Sequence, residues 1–114
     1  MSVLLEFAMF PTDKTGDSAS ESVSKVIDMI HKSGVNYKLT AMGTIVETET
    51  LEEALDIVNK SYKVLELFSN RVYSSLKLDI RKGKTNRLTK KIESIKSKND
   101  KVNKYPLSPD KILI

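Results

Sequence analysis

The chain has 114 residues, 39% apolar and 30% charged, with a net charge of +4, no Cys, no Trp and one His. That composition describes one domain with a modest, mostly aliphatic core, and it excludes disulfides, thiolate metal sites, His-rich metal sites and any convincing Ser-His-Asp or Cys-His arrangement. The charge is divided: residues 1–80 hold 8 basic and 12 acidic side chains, whereas residues 81–114 hold 11 basic and 3 acidic ones, so an acidic body precedes a basic end.

The first predicted strand is Val3-Leu4-Leu5-Glu6-Phe7-Ala8-Met9-Phe10, ended by Pro11. Val3, Leu5, Phe7 and Met9 share one face, and Leu4, Glu6, Ala8 and Phe10 share the other. Both faces are largely apolar, which predicts a central strand with Glu6 as its odd member. Starting directly on a strand, the chain shows no signal-peptide pattern. No run approaches the roughly 20 apolar residues of a membrane span. With the lack of Cys, this predicts a cytoplasmic protein.

After a polar loop, Ser18-Ala19-Ser20-Glu21 has capping-box spacing. Val23, Val26, Ile27 and Ile30 follow at helical spacing, and Gly34 marks the stop. A second strand is predicted at 35–41, with Tyr37, Leu39 and Ala41 alternating with Asn36, Lys38 and Thr40. Gly43 bends the chain into a third strand at 44–48. Thr50-Leu51-Glu52-Glu53 is a second capping box, opening a helix with Ala54, Leu55, Val58, Tyr62, Leu65 and Phe68 at its apolar positions. The fourth strand starts near Arg71. It sets Val72, Ser74, Leu76, Leu78 and Ile80 against Tyr73, Ser75, Lys77, Asp79 and Arg81. Leu88, Ile92 and Ile95 mark a third, lysine-rich helix, and from Lys98 onward Pro106 and Pro109 preclude a regular helix.

The order β-α-β-β-α-β plus one helix predicts an α+β, ferredoxin-like fold: a four-stranded antiparallel sheet with two helices on one face. A domain over 1–98 is then followed by a polar extension at 99–114. The uncovered face would carry Leu4, Ala8 and Phe10 beside Glu6, Lys77, Asp79 and Arg81. So large an apolar patch predicts self-association, most simply about a two-fold axis.

The segment from Thr40 to Glu47 sets small polar groups where a packing strand would carry Val or Ile. A carboxylate and a hydroxyl there form either a recognition surface, with Met9, Phe10 and Val46 as apolar walls, or a buried hydrogen-bonded cluster; alternatively Glu47 is solvated or paired across the sheet. Strict alternation sends Thr44 and Glu47 to opposite faces unless a bulge intervenes. Asp79 and Arg81 are either a polar-ligand site or structural ion pairs. Ser18 and Ser20 either help hold an anion or cap the helix. Glu6 is a ligand acceptor or the partner of Lys77, and His31 reads as a surface residue on the helix dipole. The basic segment 81–104 could contact phosphates. It has no aromatic platform, so nucleic-acid binding is a minor reading.

Several local patterns together resemble the thiamine-binding-protein family of small ferredoxin-like proteins. These are Met9-Phe10-Pro11 ending the first strand, Asp17-Ser18-Ala19-Ser20 opening the first helix, Met42-Gly43-Thr44 with Glu47 in the hairpin, and Asp79-Ile80-Arg81-x-Gly83 ending the fourth strand, covering residues 2–98. The resemblance implies a homodimer or homotetramer that binds thiamine or its hydroxymethylpyrimidine part. Glu6, Met9, Pro11, Ser18, Ser20, Thr44, Glu47, Asp79 and Arg81 would be its candidate ligand residues. No catalytic residue, metal or resident cofactor is expected, because carboxylates without a nucleophile or base partner define no reaction. A structural or regulatory assembly module is the alternative reading.

Overall fold

A computed structural model describes residues 1–14, 16–83, 85–88, 95 and 98. Its elements are β1 (Ser2–Pro11), α1 (Asp17–Ser33), β2 (Asn36–Thr40), β3 (Gly43–Thr48), α2 (Leu51–Glu66) and β4 (Val72–Arg81). They form the expected α+β arrangement, an antiparallel sheet in the order β2-β3-β1-β4. The 99–114 extension and most of the predicted third helix lie outside the described residues; Arg87 and Leu88 are helical. No helix among the described residues is long and apolar enough to cross a membrane.

Alternation along β1 builds the core. Val3, Leu5, Phe7 and Met9 are buried together with Val26 and Ile30 of α1, Val46 of β3, and Ala54, Ile57 and Leu65 of α2. Each of these side chains except Ala54 contributes about 1.5–3 kcal/mol on leaving water. The register puts the complementary row on the uncovered face: Leu4 faces Asp79, Glu6 faces Lys77, Ala8 faces Ser75 and Phe10 faces Tyr73. The Phe10 and Tyr73 rings lie 5.6 Å apart, tilted by 43°.

Helix ends follow local chemistry, with one departure. Gly34 adopts a left-handed conformation and returns its N–H to the His31 carbonyl, closing α1. The Thr50 hydroxyl accepts from the Glu53 N–H at 3.1 Å and donates to the Glu53 carboxylate, capping α2. The expected Ser18 capping box does not form. The helix starts two residues earlier, with Gly16 at the N-cap position and no side-chain cap, so Ser18 sits inside the first turn and its carbonyl accepts from the Ser22 hydroxyl at 3.0 Å.

The β2–β3 turn depends on two residues. The Thr40 hydroxyl donates to the Gly43 carbonyl at 2.8 Å and accepts from the Met42 and Gly43 N–H groups, tying the turn from inside. Gly43 has φ 156°, and a Cβ there would lie 2.8 Å from the Phe7 carbonyl oxygen on the neighbouring strand. Gly43→Ala is expected to lower the unfolding free energy by about 1–3 kcal/mol, read as a reduced urea midpoint; an unchanged midpoint would contradict this close approach.

Candidate functional site

The candidate residues separate into groups at different places on the sheet. β3 runs without a bulge, with Thr44 opposite Phe7 and Leu39, and Glu47 opposite Leu4 and Asn36. Thr44 therefore faces the helix layer, 6% exposed, and Glu47 the other side, 9% exposed. They do not line one pocket.

Glu47 is the centre of a polar knot. Its carboxylate accepts from the Ser2 hydroxyl, from the Arg87 backbone N–H at 2.9 Å and from the Leu88 backbone N–H at 3.1 Å. Arg87 and Leu88 begin a helical segment, whose first N–H groups have no partner within the helix. A carboxylate from β3 thus caps a segment forty residues further along the chain. The Arg87 side chain closes the knot from above. It donates to the Ser2 hydroxyl at 3.0 Å, to the Ser2 carbonyl at 2.7 Å and to the Asp79 carbonyl, and it forms an ion pair with the Asp79 carboxylate at 2.9 Å. Ser2, Glu47 and Asp79 all belong to the face that α1 and α2 leave open, so this arginine shuts one end of that face.

Burial pushes the Glu47 carboxyl upward. The Ser2 hydroxyl, the two N–H groups and the Arg87 charge outweigh it, so its pKa lies below the ordinary value of 4.5. These three donors use most of the carboxylate's acceptor capacity. A polar cavity of about 250 Å³ is lined by Ser2 and Glu47 of the knot together with Asn36, Glu49, Glu53 and Thr85, among others.

A second, apolar groove of about 560 Å³ lies between α1 and the far ends of β1 and β2. Phe10, Val23, Ile27 and Leu39 form its walls, and Ala19, Ser20 and Ser24 line its α1 side. Of the candidate residues, Ser20 lines this groove, Met9 is part of the core and Pro11 is buried at the strand end. Glu6 approaches Lys77 at 3.9 Å on the open face, with both side chains well exposed. Such a pair contributes at most about 1 kcal/mol. Asp79 pairs with Arg87, not with its neighbour Arg81, which has no ion pair among the described residues. Ser18 is solvent-exposed in the first turn of α1. The single His31 meets the Tyr37 hydroxyl at 2.9 Å with its ring edge-on to the tyrosine.

Asp13 joins the loop after β1 to the loop before β4. Its carboxylate accepts from the Ser69 hydroxyl and from the Asn70 N–H at 2.9 Å, and these bonds, the hydroxyl first, hold its pKa below the usual carboxylate value. Ser2 and Arg87 are the functional-looking residues that sequence patterns do not single out. The only signal for Arg87 is chemical: it and Arg81 are the two arginines in a segment otherwise basic through lysine, and arginine is the residue suited to multidentate contacts. Among the described residues no group of three or more His, Cys, Asp or Glu could hold a metal ion.

A small α+β domain of ferredoxin-like topology, with an apolar groove against α1 and a closed polar knot at the opposite end, is the class that these observations define. The sequence profile of the thiamine-binding protein family matches residues 5–96. A UPF0045 protein of Methanothermobacter thermautotrophicus is 33% identical over 97 residues, covering 84% of this chain and 98% of the relative. Two solved structures superpose well. A hypothetical protein of Methanocaldococcus jannaschii has a TM-score of 0.69 at 35% identity, covering 82% of this chain and 95% of that one. A candidate thiamine biosynthesis/salvage protein of Thermotoga maritima has a TM-score of 0.67 at 25% identity, covering 89% and 98%. The chain belongs to the thiamine-binding protein family.

The Glu47 knot has a pH signature. A depressed folded pKa means that its stabilisation is complete above the unfolded value near 4.5 and is lost as pH falls through the folded value. Glu47→Gln is expected to cost about 1–3 kcal/mol at pH 7 and to flatten part of the acid-induced loss of stability, Asp13 accounting for another part. Urea titrations of both proteins from pH 7 to pH 3 check this. A variant as stable as the wild type at pH 7 would contradict it.

Proposed function

We propose that this chain is a non-catalytic, homo-oligomeric small-molecule binder whose ligand is thiamine or its hydroxymethylpyrimidine part, held in the groove between α1 and the ends of β1 and β2. The observation that carries this reading is the groove itself. Its volume of about 560 Å³ falls in the range of small-molecule sites, about 300–1,000 Å³. Its lining follows the same pattern, apolar walls with few polar groups. Phe10 offers a ring for stacking, and the Ser20 and Ser24 hydroxyls can each donate and accept toward an aminopyrimidine edge. The family membership supports the ligand class, as does the salvage assignment of the Thermotoga neighbour. Glu47, which already accepts from Ser2, Arg87 and Leu88, acts in this account as structure.

Isothermal titration with thiamine and with hydroxymethylpyrimidine tests the assignment. Saturable heat is expected with at least one of them, and Ser24→Phe, which fills the groove from α1, is expected to weaken binding at least about tenfold, or ~1.4 kcal/mol, without lowering the melting temperature. No heat and no thermal shift with either compound at millimolar concentration would overturn the ligand class.

A further inference from the structure

We infer that this chain's own segment Lys111-Ile112-Leu113-Ile114 seats itself in the groove between α1 and the ends of β1 and β2 and closes it to other occupants. The inference rests on the proposed use of that groove and adds its regulation.

The groove is an incompletely covered apolar surface. Phe10 and Leu39 remain 42% and 59% exposed, and Val23 and Ile27 are only partly buried. Its lining residues are all uncharged. A space of about 560 Å³ with such walls suits a small molecule. It equally admits aliphatic side chains, which gain by leaving water. The rim on α1 is acidic: Asp17 and Glu21 are exposed beside Ser20, and neither has an ion pair among the described residues.

The sequence beyond the shared domain supplies the occupant. The family profile matches up to residue 96, and the Methanothermobacter relative aligns over 97 residues that make up 98% of its length. Residues 99–114 are an addition to that common domain, and they lie outside the described residues. Most of the addition is polar, yet it carries three large aliphatics in a row, Ile112-Leu113-Ile114. A run of that kind has no place in water unless it serves a contact. Lys111 stands directly before it, a cation to set against Asp17 and Glu21. Pro106 and Pro109 restrict the connecting backbone, so less freedom is lost on docking.

Reach and charge both favour this groove. β1 runs from the knot at Ser2 to the groove at Phe10, so its 10 residues, about 33 Å, separate the two ends. The 13 residues from 99 to 111 extend to roughly 43 Å, which spans that distance even from the knot end. The other exposed apolar row, Leu76, Leu78 and Ile80 of β4, is followed by Arg81 and Lys82, which carry the same sign of charge as Lys111. Tethering holds the segment at an effective concentration of the order of millimolar. Even a weak contact then occupies part of the groove population, and a ligand's apparent Kd rises by the inverse of the fraction left free.

The chain has no native Cys, so a nitroxide on Ser108→Cys reports where the segment lies. In the full chain without ligand, it is expected to broaden the amide signals of Ser20, Ser24, Ile27 and Leu39 and to leave those of Ser2 and Glu47 sharp. Adding Ile112→Asp, Leu113→Asp and Ile114→Asp to the same chain is expected to abolish that broadening. The triple substitution is also expected to tighten thiamine or hydroxymethylpyrimidine binding about threefold or more in titration. Broadening centred on Leu76, Leu78 and Ile80, or no broadening along the groove, would refute the docking whatever the ligand does. Titration heat with an affinity that the triple substitution leaves unchanged would refute the closure. Groove signals that broaden while neither compound gives heat uphold the docking and sink the ligand class alone, so the two failures are distinguishable.

Discussion

The carboxylate of Glu47 is the constraint on which the rest of this structure turns. A charge so little exposed is costly to remove from water, and it persists here because three donors and a guanidinium surround it. Those donors come from the first residue of β1 and from the segment after β4, so one side chain holds both ends of the domain to the middle of the sheet. Arg87 extends the tie to Asp79 and leaves Ser2 almost wholly buried. Each member satisfies another, which is the condition under which a buried polar cluster stabilises a fold.

Strand alternation then divides the labour between the two sides of the sheet. Thr44 and Glu47 belong to one β3 strand of perfectly regular register, so the hydroxyl joins the helix layer and the carboxylate joins the knot. In the proposed function, binding chemistry falls to the other end of the molecule. There α1 stands off from Phe10 and Leu39, and small residues at Ala19, Ser20 and Ser24 leave a groove. The polar residues of the Thr40–Glu47 hairpin serve turn and anchor: Thr40 ties the turn, Gly43 admits the close approach of Phe7, and Glu47 caps a distant segment.

Most of the fold was legible in the sequence because it rests on local rules. The two faces of β1, the Gly34 stop, the Thr50 cap and the β-α-β-β-α-β order are all set by residues a few positions apart. Ser18 misled because a capping pattern of the right spacing competes with a preceding glycine, and Gly16 took the boundary position. Family resemblance pointed at Glu47 as a ligand contact. Its actual partners lie forty or more residues away in both directions, and no periodicity encodes such a meeting. Arg87 was hidden among lysines for the same reason. The apolar row of β4 was legible as buried-type alternation, but its exposure was not, since that depends on how far α2 reaches across the sheet.

The account therefore separates anchoring from binding within a domain of this family, with the acidic residue in the knot and the ligand against α1. Amide-shift NMR during titration with thiamine or hydroxymethylpyrimidine tests that separation most directly. The account predicts perturbations concentrated on Ala19, Ser20, Val23, Ser24, Ile27 and Leu39, with Ser2, Glu47, Arg87 and Leu88 unmoved. Perturbations centred on the knot, with the α1 residues silent, would contradict it.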